Sequence, residues 1–281
     1  MRWLLTGAQG MLGTDAERLL RGRGEDVVAV ARGELDITDA AMVRARVEGV
    51  DVVLNCAAYT AVDQAEHDEA AAFAVNAVGP AALAVACRDA GALLVQVSTD
   101  YVFDGEATVP YAEDAFRAPA SAYGRTKAAG EWAVEALAPA HLVLRTAWLY
   151  GAHGSCFPRT IVRAARERGA LQVVDDQVGQ PTWTVDVVDL AHRLVAAGAP
   201  SGAYHATAAG STTWYEFARS AVEAAGMNPE IVTPTTSTAY VRPARRPSYS
   251  VLGHDRLAAV GVAPIGDWRE RWEQAAPVVL G

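Results

Sequence analysis

Residues 2 to 20 constrain this chain more than any other stretch. They read as a short apolar run (RWLLT), a turn with glycines at positions 7, 10 and 13, and a helix through Leu19 and Leu20. A glycine turn feeding a helix N-terminus presents free N–H groups and a positive dipole end, the local requirement for phosphate binding. Gly7 suits the tight turn, Gly10 the close approach of a pyrophosphate, and Gly13 close packing of the helix that opens with Met11 and Leu12. The spacing is GxxGxxG, not the commoner GxGxxG. Its context, strand before and helix after, is what gives such a triplet meaning.

Further strands follow at intervals that leave room for helices. Val27–Val30 ends at Ala31-Arg32-Gly33, where an arginine suits a 2′-phosphate and therefore NADPH, whereas an acidic residue would suit NADH. Asp36, in LDIT with Ile37, is placed to reach the adenine side. A third strand over 51–55 runs into Cys56-Ala57-Ala58-Tyr59-Thr60, where small residues let a ligand approach the backbone. A fourth over 93–97 delivers Ser98, Thr99, Asp100 and Tyr101 to the same sheet edge. Continuous Val/Leu/Ala strands alternating with helices predict an α/β fold, a Rossmann-like doubly wound parallel sheet. The pattern changes near Tyr150. The expected division is a dinucleotide-binding core over 1–150, rejoined by later segments, and a smaller α/β substrate lobe over 151–281.

The 24 basic residues include a single lysine, Lys127, four positions after Tyr123 in YGRTK. On a helix, i and i+4 share a face, so ammonium and phenol project into one space. The charge is expected to draw the tyrosine pKa from about 10 toward neutrality, which makes Tyr123 a candidate general acid.

Together GAQGMLG, NCAAYTAVDQAE, NAVGP, STDYVFDG, YGRTKAAGE, RTAWLYG, DDQVGQPT and ARRPSYSVL resemble the extended short-chain dehydrogenases/reductases. Within them the resemblance is closest to the dTDP-4-dehydrorhamnose reductases and related nucleotide-sugar 4-ketoreductases, over nearly the whole chain. It implies NADPH as cofactor, with NADH possible, and a dTDP-linked 4-keto sugar as substrate. Tyr123 would donate a proton, Lys127 would bind the nicotinamide ribose, and Thr99 would hold the reacting carbonyl. Ala57, Ala58, Thr60 and Tyr101 would line the cofactor pocket. Val62, Asp100, Trp148 and Gln177 would face the substrate, and Arg246, from the Arg242, Arg245, Arg246 cluster, would grip its diphosphate. Two departures bear on the sugar: Ser155-Cys156-Phe157 where relatives tend to carry asparagine before the phenylalanine, and Tyr249 where they tend to read RPxNS. SYSVLGHDR instead resembles ketoreductases of the dihydrostreptose type. Some relatives share a magnesium ion between subunits. Asp15 is a candidate remnant, with no acidic partner recognised around Val185 or Arg269, so no metal is expected. The alternatives are a nucleotide-sugar epimerase or dehydratase, disfavoured by the lack of a glutamate after Asp100, and an NADP-binding regulatory subunit.

A net charge of −9 argues against nucleic acid and anionic membranes as partners. Three cysteines (Cys56, Cys87, Cys156) without metal spacing fit a reduced, cytoplasmic protein, monomer or homodimer. The first strand leaves no room for a signal peptide, and no apolar run is expected to reach the length of a membrane span. His205 reads as a core residue, His67, His153 and His254 as exposed, and Trp214-Tyr215-Phe217 as core packing.

Overall fold

A computed structural model describes all 281 residues. Its centre is a six-stranded sheet built from β1 (Arg2–Thr6), β2 (Asp26–Val30), β3 (Val52–Asn55), β4 (Leu93–Thr99), β5 (His141–Thr146) and β6 (Gly202–His205). All neighbours pair in parallel, in the order β2-β1-β3-β4-β5-β6. Both faces are covered by apolar clusters, one holding Trp3, Leu5 and Leu54 and the other Leu4, Val53 and Leu94. Alternate residues of a strand thus feed opposite cores, which is why the strands read as unbroken apolar runs. Winding reverses between β1 and β3, so the crevice at their carboxyl ends is the natural ligand site of such a sheet.

The helices that matter to that crevice are α1 (Met11–Gly22), α2 (Ala40–Val47), α3 (Glu69–Ala90) and α4 (Ala122–Leu137). The apolar α3 spans 22 residues at a mean hydropathy of 1.8, long enough to cross a membrane, contrary to the expectation from sequence. Half of its apolar window is buried, against α2 and α4, so its composition serves the sheet's cover. A π turn at Ala74–Val78 interrupts it. There α4 comes so close that a Cβ on Gly130 would lie 2.1 Å from the Asn76 carbonyl oxygen. A Cβ on Gly124 would likewise lie 2.2 Å from the Tyr101 carbonyl oxygen. Glycine at these two positions sets how deeply α4 seats.

Beyond Tyr150, α5 (Phe157–Arg168) and α7 (Trp214–Ala224) cover the parallel pair Leu171–Val174 and Val232–Thr235, forming a small separate core. Between them α6 (Thr184–Ala196) returns to pack on α1, and β6 completes the large sheet. His205 on β6 is fully buried, its Nδ1 2.8 Å from the Gly253 carbonyl, and burial pushes it down to about 3, so it stays neutral. The expectation of exposed histidines holds for His67 but not for His153 and His254, which are half-buried. His254 Nε2 lies 3.0 Å from Thr207 Oγ1.

Because the atom facing Gly130 is backbone, Gly130→Ala is expected to lower the unfolding free energy by about 1–3 kcal/mol. The shift in urea midpoint measures it; an unchanged midpoint would mean that the π turn yields.

Candidate active site

The carboxyl ends of β1, β3, β4 and β5 open into one cleft of about 1330 Å³ that continues to residues of the segments beyond Tyr150, among them Phe157, Gln177, Trp214 and Arg246. Single small-molecule sites commonly occupy about 300–1,000 Å³. The larger volume gives room for a dinucleotide and a second nucleotide together.

At the β1 end, Gly7 has φ +66° and packs on the loop after β3, where a Cβ would lie 2.7 Å from the Ala57 nitrogen. A Cβ on Gly13 would meet the Gly7 carbonyl oxygen at 2.2 Å. Gly10 caps α1 through its backbone alone; no side chain caps this end, and no acidic residue stands in its first turn. The free N–H groups and dipole of α1 are therefore available to an anion. Gly10, Met11, Leu12 and Gly13 all line the cleft, and so do Ala57, Ala58 and Thr60. This cradle fits the pyrophosphate of a dinucleotide.

Arg32, Asp36 and Ile37 stand apart. Arg32 is exposed just past the end of β2, outside the residues lining the cleft. The Asp36 carboxylate is engaged by the Thr38 N–H (3.0 Å) and hydroxyl (2.7 Å), which hold it below the usual carboxylate range. Ile37 is buried beside Gly79. The loop after β3 is fixed by Asn76, a residue outside the sequence-based selection. Its Oδ1 accepts from Tyr59 N (2.8 Å) and its Nδ2 donates to Tyr59 O (3.0 Å) and Thr126 Oγ1 (3.1 Å). Asn76 lies in the π turn of α3, a distortion often found at functional sites.

Thr99, Asp100, Tyr101, Tyr123 and Lys127 line the same wall of the cleft. Ser121 caps α4, accepting from Gly124 N at 3.1 Å, so Tyr123 and Lys127 occupy the first two turns of that helix. Lys127 is buried and donates to the Val97 carbonyl at 2.7 Å. Burial pushes it down to about 8, against the pull of Glu131 and Cys56. Tyr123 departs from expectation. Burial, reinforced by the charge of Asp100, raises it above its ordinary value, while a hydrogen bond with Thr99 works the other way. Tyr123 is thereby held protonated.

Asp100 is also buried, and burial pushes its carboxyl up to about 6. Its Oδ1 accepts the Thr99 hydroxyl at 2.8 Å, while its buried Oδ2 has no partner. Behind these groups lies Glu131, one turn beyond Lys127. It receives Ser98 Oγ at 2.5 Å, Arg117 Nε at 2.5 Å and Arg145 Nη2 at 2.8 Å, all within the protein interior.

Val62, Trp148, Gln177 and Arg246 line the outer cleft. Arg246 donates to Asp63 at 2.9 Å, tying the loop after β3 to the C-terminal segment. Gln177 Nε2 donates to Ser237 Oγ at 2.8 Å. Trp148 has φ +47°, the sole non-glycine residue with positive φ, a strain of roughly 1–2 kcal/mol. Trp214, taken from sequence as core packing, lines the cleft and stacks on Trp148 with centroids 3.5 Å apart. Phe217 of the same group is core, as expected.

The two departures from the resembling family do not act where expected. Tyr249 is not among the cleft residues; its N–H bonds the Gly105 carbonyl at 3.1 Å and its strand bridges Glu106 and Val178. Cys156 is buried with Sγ 3.6 Å from the Gly151 carbonyl, while Ser155 and Phe157 beside it face the cleft. Near Asp15 an acidic residue does follow Val185. Asp186 is held by Arg271 at 2.6 and 2.8 Å, while Asp15 accepts from Thr184. No three His, Cys, Asp or Glu side chains gather as a metal site.

The doubly wound sheet, the uncapped cradle at α1 and the Thr99, Tyr123, Lys127 wall are the build of an oxidoreductase of the extended short-chain dehydrogenase/reductase class. Comparison with known proteins carries this further. The family model described as "RmlD substrate binding domain" matches residues 1–279, and the chain belongs to that family. A dTDP-4-dehydrorhamnose reductase of Streptomyces griseus is 50% identical over 100% of this chain and 94% of its own. A dTDP-4-keto-6-deoxy-D-glucose reductase of Streptomyces niveus is 49% identical over 99% of this chain and 97% of its own. The crystal structure of a Bacillus anthracis dTDP-4-dehydrorhamnose reductase in complex with NADP superposes with a TM-score of 0.93, at 36% identity over 98% of each chain.

Asp100 generates a prediction. With its folded pKa raised, its contribution to stability is full below the unfolded value of 3.8 and is lost as pH rises through about 6. Asp100→Asn is therefore expected to be more stable than the native chain at pH 8, by on the order of 2–3 kcal/mol. Melting both proteins from pH 4 to pH 8 should show the gap closing toward pH 4.

Proposed function

We propose that this chain reduces the 4-keto group of a dTDP-linked 6-deoxy-4-keto-hexose with NADPH. The observation that carries the reading is the convergence of Thr99, Tyr123 and Lys127 on the cleft wall beside the uncapped end of α1. Bound NADPH supplies the hydride for such a reduction, with Gly7, Gly10, Met11, Leu12 and Gly13 about its pyrophosphate and Ala57, Ala58, Thr60 and Tyr101 along it. Arg32, free in solvent at the end of β2, is the residue to meet a 2′-phosphate; Asp36 and Ile37 support that turn.

Tyr123 hands its proton to the oxygen that develops charge. A tyrosine held protonated by burial is always loaded for this step at neutral pH. The neighbouring ammonium of Lys127 then stabilises the tyrosinate as it forms, and contacts the nicotinamide ribose. Thr99 supports the same oxygen once its hydroxyl turns away from Asp100. General acid catalysis of this kind contributes about 10²–10⁴-fold. Val62, Asp100, Trp148 and Gln177 enclose the sugar, and Arg246 exchanges Asp63 for the diphosphate. The two Streptomyces relatives carry names with different keto sugars, glucose-type and rhamnose-type. A dihydrostreptose-type substrate belongs to the same chemical class. The regulatory-subunit reading has no observation in its favour, because the wall of reacting groups is complete.

Tyr123→Phe is expected to cut turnover by about 10²–10⁴-fold while NADPH affinity stays within a few-fold. NADPH oxidation with the glucose-derived dTDP-4-keto-6-deoxy sugar and with its 3,5-epimerised form tests this; near-normal turnover would sink the mechanism. Arg32→Ala should weaken NADPH more than NADH in titrations followed by fluorescence, and an unchanged preference would remove Arg32 from the site.

A further inference from the structure

Trp148 combines two properties that rarely coincide. Its backbone is in the left-handed region, the only non-glycine residue to be so, and its side chain is immobilised on two sides. One face stacks on Trp214 with ring centroids 3.5 Å apart and planes within 9°. Phe157, 4.4 Å from the Trp214 ring centroid, backs the pair. Gly179 lies over the Trp148 indole, where a Cβ would approach Trp148 Cε2 to 2.4 Å, Cζ2 to 2.6 Å and Nε1 to 2.7 Å. Backbone strain of this kind persists only where surrounding structure over-determines it, and it concentrates at ligand clamps.

The position of this ring relative to the chemistry follows from sheet register. Thr99 on β4 pairs with Thr146 on β5, and Trp148 stands two residues beyond that partner. The indole and Thr99 therefore come from neighbouring strand ends and both line the cleft, the indole as an apolar wall. A 6-deoxy sugar has one strongly apolar projection, the methyl group on C5. The glucose-derived 4-keto sugar and its 3,5-epimerised form differ at C3 and in the direction this methyl projects from C5, and a wall that cannot tilt accommodates one methyl placement better than the other.

We propose that Trp214 is a positioning residue that locks Trp148, and that the stacked pair sets which C5 epimer of the 4-keto sugar this chain reduces. The inference rests on the 4-ketoreductase reading above. Trp214, itself on the cleft wall, acts through its stack on Trp148; Gly179 is the second element of the lock. Differences of one methylene in an apolar pocket are worth about 10–200-fold in kcat/KM, so the expected loss of discrimination is about ten-fold.

The experiment compares Trp214→Leu and the conservative Trp214→Phe with the unsubstituted protein, using NADPH with the glucose-derived dTDP-4-keto-6-deoxy sugar and with its 3,5-epimerised form, the two C5 configurations. Two close, parallel indoles should give a coupled near-ultraviolet circular dichroism signal that reports the stack independently of activity; Trp148→Phe identifies the signal. For Trp214→Leu the expected result is loss of that signal, NADPH affinity within two-fold, and a ratio of kcat/KM for the two epimers reduced about ten-fold, chiefly through KM. Trp214→Phe, which retains a flat partner, should keep most of the ratio. A lost signal with an unchanged ratio would overturn this proposal and leave the reductase reading standing. So would a signal that survives Trp214→Leu. Failure of the unsubstituted protein to reduce either epimer would overturn both.

Discussion

Glu131 sits under the reacting wall, one turn of α4 beyond Lys127, and it ties α4 and the loop before it to the paired strands β4 and β5. Ser98 on β4, Arg145 on β5 and Arg117 in the loop before α4 all donate to its carboxylate. Arg145 is as deeply buried as Glu131 and spends its remaining nitrogen on the Glu113 carbonyl. Such a cluster is not a free gain in stability, since two desolvated charges roughly cancel their attraction, but removing one partner typically costs about 3–5 kcal/mol. Its effect is geometric. The helix bearing Tyr123 and Lys127 is pinned to the strand bearing Thr99, and the distance between proton donor and carbonyl holder follows from that pin.

A second polar line does the same for the nucleotide end. Thr6, Asn55 and Gln96 are consecutive across β1, β3 and β4, and are joined by side-chain bonds of 2.5 and 2.7 Å. Asn55 also receives the Ala57 N–H at 3.2 Å, which starts the loop that Gly7 packs against. Burying these amides costs free energy unless each finds a partner. Their mutual satisfaction therefore aligns the three strand ends at the point where the winding reverses.

Much of this was legible in the sequence because it is local. The apolar runs, the glycine turn and the Tyr123–Lys127 spacing are short-range patterns, and each falls where the periodicity predicts. What was not legible depends on contacts between distant segments. Nothing near residue 214 reveals that Trp214, while packing on the core, also meets Trp148, nor does SYS reveal that Tyr249 turns its backbone to Gly105 and leaves the cleft. The pKa of Tyr123 was misjudged for a related reason: helical spacing gives the lysine four residues on, but neither the depth of burial nor the Asp100 carboxylate, and these two raise it. The Ala-rich run over 69–90 is legible as helix, but its span-length apolarity is less so, because alanine, not leucine or isoleucine, supplies ten of its 22 residues.

The scarcity of lysine has a consequence outside the active site. With 23 of the 24 basic residues arginine and the one lysine sealed at 4% exposure, no lysine ammonium is offered to solvent. Reagents and modifying enzymes that acylate, methylate or conjugate lysine find their single target inside the cleft. For this molecule, lysine derivatisation and loss of the reacting wall are one event, and whatever fills the cleft would shield both.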